Sequence, residues 1–158
     1  MTADSARIPL SRLLLADVPG SMAVALGADR AHWLARVRAW ARAFLPLQGR
    51  DVALACEDGF EFSAALFGAW QAGAIPWMPA DALPATLQRL RDDGVTFAGE
   101  LPDGLQAATG GGDIALQALD LDACTLVLFT SGSTGEPAAI RKSRPRRPRT
   151  RRPSTAGA

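Results

Sequence analysis

Apolar positions early in the chain recur at Trp33, Val37, Trp40 and Phe44, at spacings of four, three and four. That is the period of one helix face, while Arg30, Arg36, Arg38 and Arg42 occupy the others. Asp29 is placed to cap this helix, and Pro46 and Gly49 end it. An aromatic stripe of this kind packs a core, and His32 falls at its edge without a catalytic role. The pattern then shortens. Residues 51–56 read as a buried strand, and Asp58 caps a helix through Phe60, Phe62, Ala65, Leu66, Trp70 and Gln71, which Gly73 stops. Residues 74–79 form a second short strand, whose prolines suit a sheet edge or a strand end. Strand, helix and strand in this span make a βαβ unit with parallel strands. A helix over 82–91 accepts Pro84 in its first turn, and 95–98 is another strand. Residues 125–129 are apolar, β-branched or aromatic and bounded by turn signals, as in a buried strand. Residues 1–28 are weakly patterned, with a short helix around 10–16. The class predicted is α/β, a mostly parallel sheet with helices on both faces.

Composition agrees with one globular domain: 158 residues, 48% hydrophobic and 21% charged. The net charge of +1 conceals a division. Residues 1–143 carry 11 Lys and Arg against 16 Asp and Glu, and residues 144–158 carry six arginines and no acid. A nucleic-acid partner would therefore rest on the last fifteen residues alone. Cys56 and Cys124 lie in apolar runs that read as strand, and are expected to be buried free thiols rather than a disulfide or a metal pair. A single histidine excludes most His-based metal clusters. No apolar stretch is long enough to span a bilayer, and Asp17, Pro19 and Gly20 cut short the apolar run of Leu13, Leu14 and Leu15. A cytoplasmic protein is expected.

The candidate chemistry follows the strand at 125–129. Thr130, Ser131, Gly132, Ser133, Thr134 and Gly135 form a hydroxyl- and glycine-rich run that Pro137 closes. Gly132 and Gly135 let backbone N–H groups converge on one point, and four hydroxyls can donate to phosphate oxygens. No Gly-Lys-Ser/Thr follows, so this is not the phosphate loop of nucleotide triphosphatases. Ser133 lacks a glycine two residues before it, which excludes the hydrolase nucleophile elbow. The three glycines at 110–112 lack the flanking strand and helix of a dinucleotide fingerprint.

Residues 130–137 closely resemble the signature of the adenylate-forming, AMP-binding ligases: acyl-CoA synthetases, luciferases and the adenylation domains of peptide synthetases. Their pattern is an apolar strand, then Thr-Ser-Gly-Ser/Thr-Thr-Gly, any residue, Pro and usually Lys. The chain departs at the last position, where Ala138 stands, with Arg141 and Lys142 the nearest cations in sequence. A second stretch is similar to the same family: Asp58-Gly59-Phe60-Glu61-Phe62, followed by Gln71-Ala72-Gly73-Ala74-Ile75-Pro76. The resemblance covers about residues 25–143.

The resemblance implies an enzyme in which a carboxylate attacks the α-phosphate of ATP, and a CoA or carrier-protein thiol then takes the acyl group. ATP and Mg²⁺ are the implied cofactors. The loop residues Thr130, Ser131, Gly132, Ser133, Thr134 and Gly135 would hold the leaving pyrophosphate. The family's adenine, ribose and metal contacts and its catalytic lysine come later in its chains, so no catalytic or metal residue is assigned here. The expectation is a truncated N-terminal part of the AMP-binding domain over 1–143, inactive alone, followed by a disordered Arg/Pro-rich tail over 144–158. The tail contains only Arg, Pro, Thr, Ser, Ala and Gly, which makes it a candidate frameshift product of a GC-rich gene. In the family the chain beyond the loop is expected to run into an apolar-spaced helix. A rival reading is a self-sufficient module that binds a small phosphate ligand through the loop and a polyanion through the tail. A scaffold without any ligand is a third.

Overall fold

The computed structural model describes residues 8–15, 23–25, 28–110, 113–130 and 138–143. Leu10–Arg12 form a 3-10 turn, shorter than the helix expected around 10–16. The strands β1 (Ala23–Ala25) and β2 (Ala28–Asp29) make a small antiparallel ribbon that the weak pattern of residues 1–28 did not reveal. Helix α1 is Arg30–Phe44, and Asp29 accepts the His32 N–H at its start, as the cap position predicts. A 3-10 turn over Leu45–Leu47 takes Pro46 and ends the run. There follow β3 (Asp51–Ala55), α2 (Gly59–Ala72), β4 (Ile75–Met78), α3 (Pro84–Asp92), β5 (Thr96–Gly99), β6 (Thr125–Thr130) and β7 (Ala138–Ser143). Asp58 caps α2 by accepting the Glu61 N–H, and Gly73 closes it at φ 72°, where any side chain would be strained.

These strands form one five-stranded sheet in the order β5-β3-β4-β6-β7. The first four are parallel and β7 is antiparallel to β6. The mostly parallel α/β class is therefore observed. Pro76 is the second residue of β4, so of the two settings that suit its prolines the structure has the strand end, in a strand that is central in the sheet. Ile75 N–H donates to Arg50 on the β3 side, so the next residue would present its N–H to the β6 side. Pairing with β6 begins only at Trp77, so the proline withdraws no ladder donor. Residues 138–143, for which the sequence reading gave no element, form the edge strand β7.

Alternate residues of β3 divide the core between the two sheet faces. Val52 and Leu54 pack with α1 and α2, and Ala53 packs with Leu87 and Leu90 of α3. The aromatic stripe of α1 is core, as its spacing predicts: Trp33, Val37, Trp40 and Phe44 are each at most 2% exposed. Each such side chain contributes about 1.5–3 kcal/mol by burial. Helices α1 and α2 approach closely because α2 carries Gly68; a Cβ there would stand 2.6 Å from the Trp40 Cβ. All four tryptophan N–H groups are satisfied: Trp33 by Ser63, Trp40 by Glu61, Trp70 by the Thr125 carbonyl and Trp77 by Asp51.

The long connection between β5 and β6 is a strap. Leu105 adds to the outer side of β5, donating to the Phe97 carbonyl at 2.8 Å and accepting from Gly99 at 2.9 Å. Further on, Ala108 donates to the Ala39 carbonyl of α1, and Gln117 exchanges two hydrogen bonds with the Gln71 amide of α2.

Candidate functional site

The seven residues 131–137 lie outside the described residues, and with them the predicted Ser131, Gly132, Ser133, Thr134 and Gly135. Of Thr130, the remaining predicted residue, the backbone is described. It ends β6 and pairs with Ala138, the first residue of β7. The strand Thr125–Thr130 confirms the apolar run that precedes the hydroxyl-rich sequence. Thr130 stands at the carboxyl end of the parallel strands, the end at which open α/β sheets bind ligands.

The same end receives the termini of β3, β4 and β5, and it is acidic. Glu57, Asp58, Glu61, Asp81 and Glu100 follow those strands or open α2. Glu57 N–H donates to Glu100 at 3.2 Å, and Asp81 is held below its ordinary value by hydrogen bonds from Thr86 and from the Leu83 N–H. Among the described residues no group of three or more His, Cys, Asp or Glu side chains could hold a metal ion.

Ala138 stands where a lysine is usual in the resembling family, and the nearby cations Arg141 and Lys142 lie further along β7. Arg141 is three residues further along β7, about 10 Å from the loop end at strand rise. Its guanidinium turns away, to Asp51 at the start of β3, at 3.3 Å. Asp51 also accepts the Trp77 N–H at 2.7 Å, so one carboxylate ties β7 and β4 to β3. Lys142 is a residue further still and lies on the opposite face, beside Trp70 and Leu126.

The second stretch that resembles the family has a structural explanation. Asp58 is the cap of α2. Glu61 receives Arg36 at both oxygens, at 2.6 and 2.8 Å, and Trp40 Nε1 at 3.0 Å. The Arg36 hydrogen bond holds the Glu61 carboxyl below its ordinary value, and the same bond raises the Arg36 guanidinium. This fork locks α1 on α2. Sequence reading missed the pair, because Arg36 and Glu61 meet only once the helices pack; a charge inside an otherwise alanine-rich helix face was the available signal. His32 is exposed, and its ring faces Phe60 at 5.0 Å.

The two cysteines are free, as expected, but half-buried rather than buried, and neither is in a strand: Cys56 follows β3 and Cys124 precedes β6. Burial pushes both thiols up to about 11, which leaves them poor nucleophiles at neutral pH. No helix among the described residues is long and apolar enough to cross a membrane.

No family model and no curated protein sequence matches the chain. Solved structures do. The o-succinylbenzoate coenzyme A synthetase MenE of Bacillus subtilis, in complex with AMP, superposes with a TM-score of 0.63 at 15% identity. That match covers 87% of this chain and 42% of MenE. The N-terminal subdomain of Klebsiella oxytoca NpsA, bound to 3-hydroxybenzoyl-AMSN, gives 0.56 at 18% identity over 73% of this chain and 34% of its own. McyG A-PCP, complexed with phenylalanyl-adenylate, gives 0.55 at 17% identity over 73% and 24%. The chain thus has the α/β fold found in the N-terminal part of adenylate-forming ligases. It spans less than half the length of each of these neighbours.

Proposed function

We propose that residues 1–143 are the N-terminal portion of an ATP-dependent ligase that forms acyl-adenylates, and that Thr130, Ser131, Gly132, Ser133, Thr134 and Gly135 hold the ATP phosphates. The observation that carries this reading is the joining of two independent features. The loop sequence follows, without a gap, a strand that ends at the ligand-binding end of a sheet with this fold.

The chemistry that follows is acyl transfer through an adenylate. A carboxylate oxygen attacks the α-phosphorus of ATP, the bond from that phosphorus to the β-phosphate oxygen breaks, and pyrophosphate leaves with the electron pair. The loop's backbone N–H groups and hydroxyls hold the charge that develops on the leaving group. Mg²⁺ belongs to the same reading through the ATP and magnesium bound in a MenE structure. The acid substrate and a CoA or carrier-protein thiol are the partners, and the cytoplasm is the location that suits this chemistry. The contacts to adenine and ribose and the catalytic lysine are not assigned within residues 1–158. Residues 144–158 add a basic segment outside the ligase portion.

Pyrophosphate binding to the full chain tests the loop. Gly135→Val should weaken it about tenfold, equivalent to ~1.4 kcal/mol. Equal affinity of the two proteins would remove the loop from the site. Exchange of labelled pyrophosphate into ATP, driven by any carboxylic acid, should be absent from the purified chain. Exchange that Gly135→Val abolishes would show that the chain is a complete catalyst and overturn the reading of it as a portion.

A further inference from the structure

The two edges of the sheet are treated differently. Outside β5, Leu105 and Gln106 occupy the edge: Leu105 N–H meets the Phe97 carbonyl, Gly99 N–H meets the Leu105 carbonyl, and the Gln106 amide donates to the Gly99 carbonyl at 2.7 Å. Outside β7 nothing comparable is present among the described residues. Its six residues are in full register with β6 from Ser143 opposite Thr125 to Ala138 opposite Thr130. No described residue bonds to the outer side of that strand. In an antiparallel edge strand alternate residues turn both N–H and C=O outward, a template for one more strand.

The surroundings of β7 say what kind of strand fits. On one face its Ala139 adjoins a cavity of about 250 Å³ lined by Trp77, Phe129 and Leu90. On the other, Lys142 borders an open groove of about 560 Å³ with Leu10, Trp70 and Leu126. Ile140 is 36% exposed on that second face. The charges are one-signed: Arg141 on the first face and Lys142 on the second, the latter without a partner among the described residues. Arg141 is half-exposed and its one described carboxylate partner is at 3.3 Å, leaving donors for another.

We infer that β7 accepts an extended segment of another protein that carries two consecutive acidic residues followed by apolar ones. The order comes from register. A strand running antiparallel to β7 meets Lys142 first, Arg141 next and then Ile140 and Ala139. Consecutive residues point to opposite faces, so two adjacent acids serve both cations. A second copy of this chain fits worse, because two-fold pairing of β7 with itself sets like charges near each other.

The test uses the full chain and a fluorescent, end-blocked Thr-Glu-Glu-Val-Val-Thr peptide, followed by anisotropy. It should bind at least about tenfold more tightly than Thr-Lys-Lys-Val-Val-Thr, a gap of ~1.4 kcal/mol. N-methylation of alternate peptide bonds on one edge should abolish binding, whereas methylation of the other edge leaves it. Lys142→Glu, at an exposed position that carries no core, should narrow or invert the preference. Three outcomes would overturn the proposal: indifference to peptide charge, indifference to N-methylation, or sedimentation showing a dimer that the acidic peptide does not displace. The inference stands on the edge alone, so loss of pyrophosphate binding in Gly135→Val leaves it untouched.

Discussion

The βαβ unit of residues 51–78 and the hairpin of β6 and β7 belong to one sheet, yet they carry information in opposite ways. In the first, three residues of the stretch that resembles the ligase family have architectural duties. Asp58 caps a helix, Glu61 holds Arg36 and Trp40, and Gly73 ends α2 in a left-handed turn. In the second, the strands Thr125–Thr130 and Ala138–Ser143 pair in full register, and the connection between them is where phosphate binding is proposed. On that proposal, one stretch that resembles the family is a folding instruction and the other a ligand site. Only the contacts of each residue tell them apart.

The sharpest way to break the first half of this contrast is Gly68→Val. Its Cβ would meet Trp40 and the backbone of Ala41 at 2.6 and 2.8 Å, so α1 and α2 must separate. A loss of about 2–3 kcal/mol in denaturant midpoint experiments is expected, as for overpacked cores generally. A loss below about 0.5 kcal/mol would mean that the helices are not in close contact.

Glu61→Gln comes next, with an expected cost of about 1 kcal/mol in a partly solvated pair. It also has a pH signature. The folded carboxyl titrates below its ordinary value of 4.5, so its stabilisation is complete above that value and is lost as pH falls through the folded one. Wild-type stability should decline on acidification through this window, and Glu61→Gln should flatten that part of the slope. An unchanged slope would deny the fork with Arg36 a role.

The smallest effect concerns the thiols. With both held up to about 11, Cys56 and Cys124 should react with a disulfide reagent at pH 8 more than tenfold more slowly than a free cysteine peptide (about two pKa units). Rates equal to the peptide's would place them on the surface.

Local signals made much of the fold legible. The caps Asp29 and Asp58 and the stop at Gly73 depend on backbone groups a few residues away, so sequence carries them almost unaided. The spacing of Trp33, Val37, Trp40 and Phe44 is likewise a property of one helix. What sequence did not carry is pairing at long range. The prolines around β4 suit an edge or a strand end alike, and that β4 is central is not local information, because the strand order is set by which helix crosses to which face. The fork between Arg36 and Glu61 exists only across two packed helices. Strand β7 was hidden by its sequence: Ala138, Ala139 and Ile140 with two cations have no alternation that favours strand over helix, and pairing with β6 decides. For the candidate site, the residue types of 130–135 suit a phosphate ligand, and of these residues the fold places the backbone of Thr130 at the carboxyl end of the parallel strands.

The central claim is that residues 130–135 bind phosphate, and amide chemical shifts report it residue by residue. In a titration of the ¹⁵N-labelled full chain with pyrophosphate, the Gly132 and Gly135 amides should move first and furthest, and Gly135→Val should suppress the change across the loop. Shifts confined to the arginines of 144–158, with 130–135 unmoved, would contradict the account and favour a polyanion-binding tail instead.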